Sequence, residues 1–348
     1  MMLDLKDCDL EGLKKLFLEM GEPAYRAKQV FQAIYAQGKT DFETISPLPK
    51  SLRQRLSEVA ILSQLVPSQT LVSNDGTTKF LFTLKDGYCI ESVLIPHNGY
   101  YTLCVSTQVG CAQGCRFCLT GRLGLKRHLK TSEIINQVIW ARSFLKRKHP
   151  WPLRNLVFMG MGEPLHNYQN VLRAIKILLD PLGLNFSHRR LTISTVGLVP
   201  QMLKMSQEVN ISWAISLHAP DDDTRNLIVP VNKRYPLATL IEALKRMPLP
   251  PRKRFTIEYV MLKDINTSKD HALRLAYLLR NIPVKINLIP YNPHFSTEFK
   301  GAGLEFERPE EREILSFQQI LQNKGYTVTI RKSKGADIGA ACGQLDGK

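Results

Sequence analysis

The 348-residue sequence predicts an α/β protein: an incomplete (β/α) barrel, preceded by a small N-terminal helical domain and a short β meander. From about residue 100 onward, short β-rich runs alternate with helical segments, which is typical of parallel strands joined by helical crossovers. About six or seven such units are present, fewer than the eight that close a barrel.

Four segments are expected, and they cover residues 1–65, 66–98, 99–335 and 336–348. The first is a helical accessory domain, because apolar residues such as Leu13, Phe17 and Met20 recur at helical spacing. The second is an antiparallel meander and linker, with turns at Asn74-Asp75-Gly76 and Asp86-Gly87. The third is the partial barrel, and the fourth is a tail of small residues able to fold over the barrel mouth.

Polar residues collect where the predicted barrel strands end. These strands are expected at residues 101–106, 156–159, 191–194, 211–217, 255–260, 284–288 and 326–331. The cysteine loop, the Gly162-Glu163 turn, Ser194, Ser216 and Asn292 all lie at or just after a carboxyl end. Barrel enzymes place their chemistry at this end, so we expect the active site there.

The composition indicates a basic protein from a reducing compartment. Lysine and arginine number 47 against 31 acidic residues, a net charge of +16, which favours binding to a polyanion such as nucleic acid. Seven cysteines in a chain of this length do not form a disulfide scaffold. No apolar run approaches the ~20 residues of a membrane span, and the N-terminus lacks a signal-peptide pattern. We expect a cytoplasmic monomer without membrane contact.

Cys111, Cys115 and Cys118 stand in the pattern C-A-Q-G-C-R-F-C. Thiolates at this spacing select zinc or an iron–sulfur cluster. A structural zinc site uses four protein ligands, and Cys104 is available as a fourth, so zinc remains an alternative. Three cysteines spaced CxxxCxxC are the signature of radical S-adenosylmethionine (SAM) enzymes, in which SAM chelates the open iron of a [4Fe–4S] cluster. We therefore predict a barrel of radical SAM type.

For the other candidate site residues, a purely structural role is the alternative to a role in binding or catalysis. Glu163, in a glycine-rich turn after Gly162, suits the ammonium of an amino-acid-like ligand, although such turns are also common for steric reasons. Candidates for hydrogen bonds to a nucleoside ligand are Ser194, Ser216, His218 and Asn292. Serines near strand ends also cap helices, and asparagine is a frequent turn residue. Cys342, in the small-residue tail, is either a nucleophile or a small buried side chain.

Four motifs occur in the order C-V-S-T-Q-V-G-C-A-Q-G-C-R-F-C, F-M-G-M-G-E-P-L, S-L-H-A-P and A-A-C-G-Q-L. With them the chain resembles the RlmN/Cfr family of radical SAM RNA methyltransferases over almost its whole length. The resemblance implies methylation of carbon 2 of an adenosine in 23S rRNA and in tRNA. It also implies a [4Fe–4S] cluster, two SAM molecules per turnover, an electron donor for the cluster and a dithiol reductant.

The resemblance assigns roles to three further side chains. Cys342 would be methylated by one SAM and would then carry a carbon radical that adds to the adenine. Glu91 would be the base for the ring proton. Cys104 would attack Cys342 and release the RNA, leaving a Cys104–Cys342 disulfide. The positions that match the family's SAM-binding residues are Gly162, Glu163, Ser194, Ser216, Leu217, His218 and Asn292.

Two alternatives to this function remain. The Cfr branch methylates carbon 8, and Pro164 and Pro290 favour the carbon 2 branch. A non-catalytic RNA-binding protein with a structural metal cluster is the more remote alternative. In either case we expect a looped RNA with an unstacked base, held by basic residues that contact phosphates. The candidate basic residues are Arg122, Lys126, Arg127, Lys130, Lys146, Arg147, Lys148, Lys332 and Lys334.

Overall fold

The computed structural model describes residues 2–293 and 305–347, so residues 1, 294–304 and 348 of the predicted segments lie outside the described residues. The N-terminal helices are Leu10–Glu19 (α1), Ala24–Tyr35 (α2) and Lys50–Val59 (α3). Leu13 and Phe17 on α1 are fully buried, as their spacing predicts. Two short strands, Leu3–Asp4 (β1) and Ala60–Ile61 (β2), pair in parallel. They were not predicted, because two residues show no period.

The remaining strands form one large sheet and one small one. They are Gln69–Val72 (β3), Thr78–Thr83 (β4), Cys89–His97 (β5), Tyr100–Cys104 (β6), Gln108–Gly110 (β7), Leu125–His128 (β8), Leu153–Phe158 (β9), Leu191–Thr195 (β10), Ser212–Ser216 (β11), Phe255–Met261 (β12), Val284–Pro290 (β13) and Val328–Ile330 (β14). The large sheet has the order β14-β13-β12-β11-β10-β9-β6-β5-β4-β3, and β7 pairs with β8 separately.

The part of the large sheet from β6 to β14 is parallel throughout, with each strand bonded to its neighbour in the order given. Within the described residues, no pairing joins β14 to β3, so the sheet stays open. The predicted α/β fold with an incomplete barrel is confirmed. Parallel strands leave their carboxyl ends at one edge, which brings the predicted polar residues together.

Further helices connect the parallel strands along the chain. They are Leu119–Arg122 (α4), Thr131–Lys148 (α5), Tyr168–Leu179 (α6), Val199–Glu208 (α7), Asp222–Ile228 (α8), Leu237–Arg246 (α9), Lys269–Leu278 (α10) and Glu311–Asn323 (α11). Leu156, Ile193 and Ile215 on the sheet and Ile175 on α6 are fully buried in one hydrophobic core. No helix in the described ranges is both long enough and apolar enough to span a membrane.

The antiparallel meander from β3 to β6 is continuous with the barrel. Strand β6 pairs with β5 in the antiparallel direction and with β9 in the parallel direction. Val93 of β5 pairs with Cys104, the last residue of β6. Glu91 lies two residues before Val93 and therefore faces the same side of the sheet as Val93 and Cys104. The boundary drawn at residue 98 stays a prediction.

Candidate functional site

An open cavity of about 990 Å³ lies at the carboxyl ends of the parallel strands and is here called the barrel cavity. Residues predicted from the sequence supply much of its wall, namely Cys111, Cys115, Cys118, Gly162, Glu163, Ser194, Ser216, His218, Asn292 and Cys342. The structure thus brings side chains separated by more than 200 residues of sequence into one site.

A second cavity, of about 600 Å³, lies beneath the C-terminal tail and is called the tail cavity. Its wall includes Val93 of the meander and Cys104 at the end of β6. Cys342 lines this cavity as well as the barrel cavity, as do Cys118 and Asn292. Cys342 therefore stands at the junction between the cluster cysteines on one side and Cys104 on the other.

The cysteine loop is folded by its own backbone. The N–H of Cys111 donates to Gly124 O at 3.1 Å, and the N–H of Cys118 donates to Cys115 O at 3.1 Å. Gly110 precedes the loop with φ +71°, and a Cβ there would lie 1.8 Å from Gly124 O. Glycine is thus required at this position, because no side chain fits between the two chain segments.

The three loop thiols are buried at one end of the barrel cavity, and this fits a cationic cluster. Burial raises the pKa of Cys111 to about 12, and burial also raises the pKa values of Cys115 and Cys118. The nearby charges of the other two thiolates raise the pKa of Cys115 further. Three clustered thiolates are therefore stable together only beside a positive charge, which the iron of a cluster held by these cysteines would supply.

The structure gives the zinc alternative no support. Cys104, the possible fourth zinc ligand, lines the tail cavity and not the barrel cavity.

Gly162 and Glu163 form a close turn against β7. A Cβ at Gly162, where φ is +102°, would lie 2.5 Å from Gln108 Cβ. The Glu163 N–H donates to Gln108 Oε1 at 2.7 Å, while its carboxylate accepts from Leu165 N at 3.0 Å and from Val196 N at 2.9 Å. Burial raises the pKa of Glu163 to about 7. A ligand ammonium beside this carboxylate would favour its ionised form.

His218 is a neutral side chain in the cavity wall. Burial and, to a smaller extent, the nearby charge of Arg225 lower the pKa of its imidazole to about 3. Its Nδ1 accepts the Val260 N–H at 3.0 Å, so the ring proton lies on Nε2, where it is a hydrogen-bond donor. Its φ of +62° is stabilised by Asn266, whose Nδ2 donates to His218 O at 2.8 Å.

Leu217 differs from its predicted neighbours in the site. Its side chain is fully buried in the hydrophobic core and is not part of the cavity wall. Its carbonyl accepts from Arg225 Nε at 2.9 Å, which fixes the turn between Ser216 and His218. A role for Leu217 in ligand binding would have to come from its backbone.

The tail that carries Cys342 is held from several sides. Asn292 Nδ2 donates to Cys342 O at 3.3 Å, and Gln344 Nε2 donates to Pro293 O at 2.8 Å. On the side of the cysteine loop, Leu119 N donates to Gly343 O at 2.8 Å, and Thr120 Oγ1 donates to Leu345 O at 2.6 Å. These bonds flank Cys342 closely and leave its thiol at both cavities.

Glu91 lies behind the tail and lines neither cavity. It is fully buried, and Lys79 Nζ contacts its Oε1 at 2.7 Å. Its Oε2 accepts the N–H groups of Asp346 at 2.9 Å and Gly347 at 3.1 Å. Burial raises the pKa of the Glu91 carboxyl, and the charge of Lys79 opposes this rise.

Three charged residues of the site were not found from the sequence. Arg331, just after β14, lines both cavities, and the neighbouring Cys342 thiolate raises the pKa of its guanidinium. Glu258 of β12 lines the barrel cavity and accepts from Asn287 Nδ2 at 2.8 Å. Lys79 is buried beside Glu91. Each lies in or next to a predicted strand, where an isolated charge usually indicates a solvent-exposed position.

The basic residues after the cysteine loop differ in their exposure and in their contacts within the protein. Lys126 and Lys130 are exposed. The guanidinium of Arg127 makes two hydrogen bonds of 2.8 Å to Glu133 and a third contact to Asp86, so part of its hydrogen-bonding capacity is used within the protein. Its contact with RNA stays a prediction. Arg122 donates from Nε and from a terminal nitrogen to Arg116 O.

Two protein-family models match the sequence of this chain, and the second covers most of the residues that form the site. Residues 3–62 match the family model described as the ribosomal RNA large subunit methyltransferase N-terminal domain, and residues 105–276 match the radical SAM superfamily model. Radical SAM enzymes use a [4Fe–4S] cluster and SAM, and the buried thiols of the cysteine loop fit that cluster.

Curated relatives match along the whole chain. The dual-specificity RNA methyltransferase RlmN of Geobacter sulfurreducens is 48% identical over 100% of this chain and 93% of its own length. RlmN of Geotalea uraniireducens is 47% identical over 99% of this chain and 97% of its own length. The crystal structure of a radical SAM methyltransferase from Sphaerobacter thermophilus superposes with a TM-score of 0.90 at 41% identity, covering 99% of this chain and 100% of that chain. The family expected from the four sequence motifs is thereby confirmed: this chain belongs to the RlmN family of radical SAM RNA methyltransferases.

Proposed function

We propose that this protein methylates carbon 2 of an adenosine in 23S rRNA and in tRNA, through an S-methylated Cys342 and a covalent protein–RNA adduct. The observation that supports this mechanism is the position of Cys342 at the junction of the two cavities. From there one sulfur can take part in chemistry with the ligand of the barrel cavity and then react with the thiol of Cys104.

The ligand side of the site is assigned to the barrel cavity. Cys111, Cys115 and Cys118 would hold the cluster, and Glu163 would bind the ammonium of SAM. The donor Nε2–H of His218 and the hydroxyls of Ser194 and Ser216 are placed for its other polar groups. When bound, cluster and SAM together supply a 5′-deoxyadenosyl radical, and a first SAM supplies the methyl group to Cys342.

Cys342 acts as a carrier in this proposal. Its thiolate accepts a methyl group, and removal of one hydrogen atom from that methyl leaves a carbon radical bonded to sulfur. The methylene adds to carbon 2, an electron-poor ring position that does not react as a nucleophile. Restoring the aromatic ring removes one electron, for which the oxidised cluster held by the loop cysteines would be the acceptor, and the carbon 2 proton, which is assigned to Glu91.

Cys104 completes the reaction by releasing the RNA. Its thiolate attacks the sulfur of Cys342, the bond between sulfur and methylene breaks, and its electron pair stays on carbon, which takes up a proton to become methyl. The product is a Cys104–Cys342 disulfide that a cellular dithiol reduces. Both cysteines are free in this structure, and burial raises the pKa of Cys104 to about 12, so a nearby cation must favour its thiolate. Arg331 is in position to do so.

The direct test is identification of the product. The cluster is reconstituted anaerobically, reductant and methyl-labelled SAM are added with a 23S rRNA fragment or a tRNA, and the modified nucleoside is compared with 2-methyl- and 8-methyladenosine by mass spectrometry. Labelled 2-methyladenosine is expected. The 8-methyl product would keep the carrier role of Cys342 and contradict the assigned carbon, whereas absence of SAM cleavage would favour a structural cluster.

A further inference from the structure

Lys79 and Glu91 form an ion pair enclosed between the meander and the tail. Their charged atoms are 2.7 Å apart, and their side chains are 8% and 0% exposed. Lys79 on β4 pairs with Val93 on β5, two residues from Glu91, so both charged side chains leave the sheet on the same face. The contact is thus fixed by strand register.

The tail covers this ion pair from two directions. The N–H groups of Asp346 and Gly347 donate to Glu91 Oε2, and a Cβ at Gly339 would lie 3.6 Å from Lys79 Nζ. The two arms of the tail therefore meet over the pair, with Cys342 between them in sequence. Movement of the tail would remove the amide donors, whereas Lys79 would stay, because it belongs to the neighbouring strand.

Stability alone does not account for two buried charges at this position. Desolvation makes a buried ion pair costly, and replacement by apolar side chains is often neutral or stabilising. Glu91 also keeps acceptor capacity, since among the described residues its Oε1 contacts Lys79 but accepts no well-directed hydrogen bond. A carboxylate with a spare lone pair and a fixed cation is suited to accept a proton.

We propose that Lys79 is the positioning residue of Glu91, holding its carboxylate ionised and oriented while the tail moves and the adenine ring gives up its proton. The inference rests on the proposed function, in which Glu91 is the base. The proton passes from carbon 2 to the carboxylate, and the bonding electron pair stays with the ring. Lys79 takes no part in the proton transfer itself and acts only through the carboxylate of Glu91.

The charges around Glu91 agree with this role. Burial raises the pKa of the carboxyl most strongly, Lys79 lowers it, the Gly347 N–H lowers it, and Asp346 raises it. Removing the ammonium therefore moves the pKa of Glu91 upward, and a smaller fraction of the base is ionised at neutral pH. Each unit of that shift lowers the ionised fraction about tenfold.

The test compares Lys79→Met with Lys79→Arg in the cluster-loaded full-length enzyme, supplied with SAM, reductant and RNA. Three quantities are measured: S-methylation of Cys342, the covalent RNA adduct and free methylated RNA. Lys79→Met should methylate Cys342 at the parental rate and release product about tenfold more slowly at pH 7. Its release should recover as the pH rises, and adenine deuterated at carbon 2 should slow it further. Lys79→Arg should restore release.

Matched controls separate the possible failures. Lys85→Met removes an exposed lysine from the next turn and should behave as the parent. Cys104→Ala gives the adduct level expected when release is blocked. Equal release rates and pH profiles for Lys79→Met and the parent would overturn the inference. If Lys79→Met loses Cys342 methylation as well as product release, the inference is also overturned, because the ion pair would then be a structural anchor. A parent enzyme that forms neither methylated Cys342 nor adduct would instead refute the proposed function.

Discussion

The barrel and the tail position their reactive residues by different means. In the barrel, Ser194 and Ser216 lie at the ends of strands whose register with their neighbours is set by backbone hydrogen bonds. In the tail, Cys342 lies outside any strand and is held by side chains such as Asn292. A ladder of backbone bonds tolerates loss of one side chain, whereas a tail held largely through individual side chains is more sensitive to such a loss. The two regions should therefore respond differently to single substitutions.

The largest effect should come from replacing a cysteine in each region. Cys115→Ala removes a buried thiol proposed as a cluster ligand, so iron content, SAM cleavage and RNA methylation should all fall to background. Cys342→Ala should keep the cluster and lose methylated RNA completely. Iron and sulfide analysis, together with labelled SAM, measures both variants. Unchanged methylation by Cys342→Ala would remove the tail from the mechanism.

The same contrast explains which parts of the molecule the sequence predicts. The β-rich runs predict the parallel strands, and the order of strands places Glu163, Ser194 and Ser216 at one edge, because parallel strands end together. The contact between Ser73 and Asp337 joins residues 264 positions apart, and no local pattern indicates it. The position of Cys342 between two cavities depends on such contacts and was therefore visible only in the structure.

The burial of the charged residues Lys79 and Arg331 could not be predicted from the sequence for a related reason. Lys79 and Arg331 lie in or next to predicted strands and look like solvent-exposed residues, because in sequence a charge without its partner indicates only polarity. Their partners, Glu91 and Cys342, lie on other elements. Only the folded chain shows that Lys79 forms an ion pair with Glu91 and that Arg331 lies near Cys342.

A smaller effect is expected when one tail anchor is removed. Asp337 accepts from Ser73 Oγ at 2.6 Å and from Asn74 N at 3.1 Å, which ties the start of the tail to the β3–β4 turn. Asp337→Ala should lower the methylation rate several-fold, because Cys342 is placed correctly for less of the time. Iron content and the melting temperature should stay close to parental values.

The control for this variant is Asp270→Ala, which breaks an exposed ion pair with Arg274 far along the sequence from the tail. It should leave methylation unchanged. If Asp337→Ala also methylates at the parental rate, the tail is anchored well enough by its other bonds, and the contrast with the barrel is weaker than proposed.

The smallest effect concerns RNA binding, in which no single side chain dominates. The double variant Lys126→Glu and Lys130→Glu reverses two exposed charges after the cysteine loop, whereas Arg127 is unsuitable because Glu133 and Asp86 already bind it. Loss of two phosphate contacts should lower the slope of log K against log salt by about 1.4 for a single-stranded RNA. Binding is measured across a salt series, with Lys245→Glu and Arg246→Glu on α9 as the matched charge change. An equal loss at all salt concentrations would contradict an electrostatic contact at these lysines. The same salt-dependent loss in the α9 control would show that net charge and not this surface attracts the RNA.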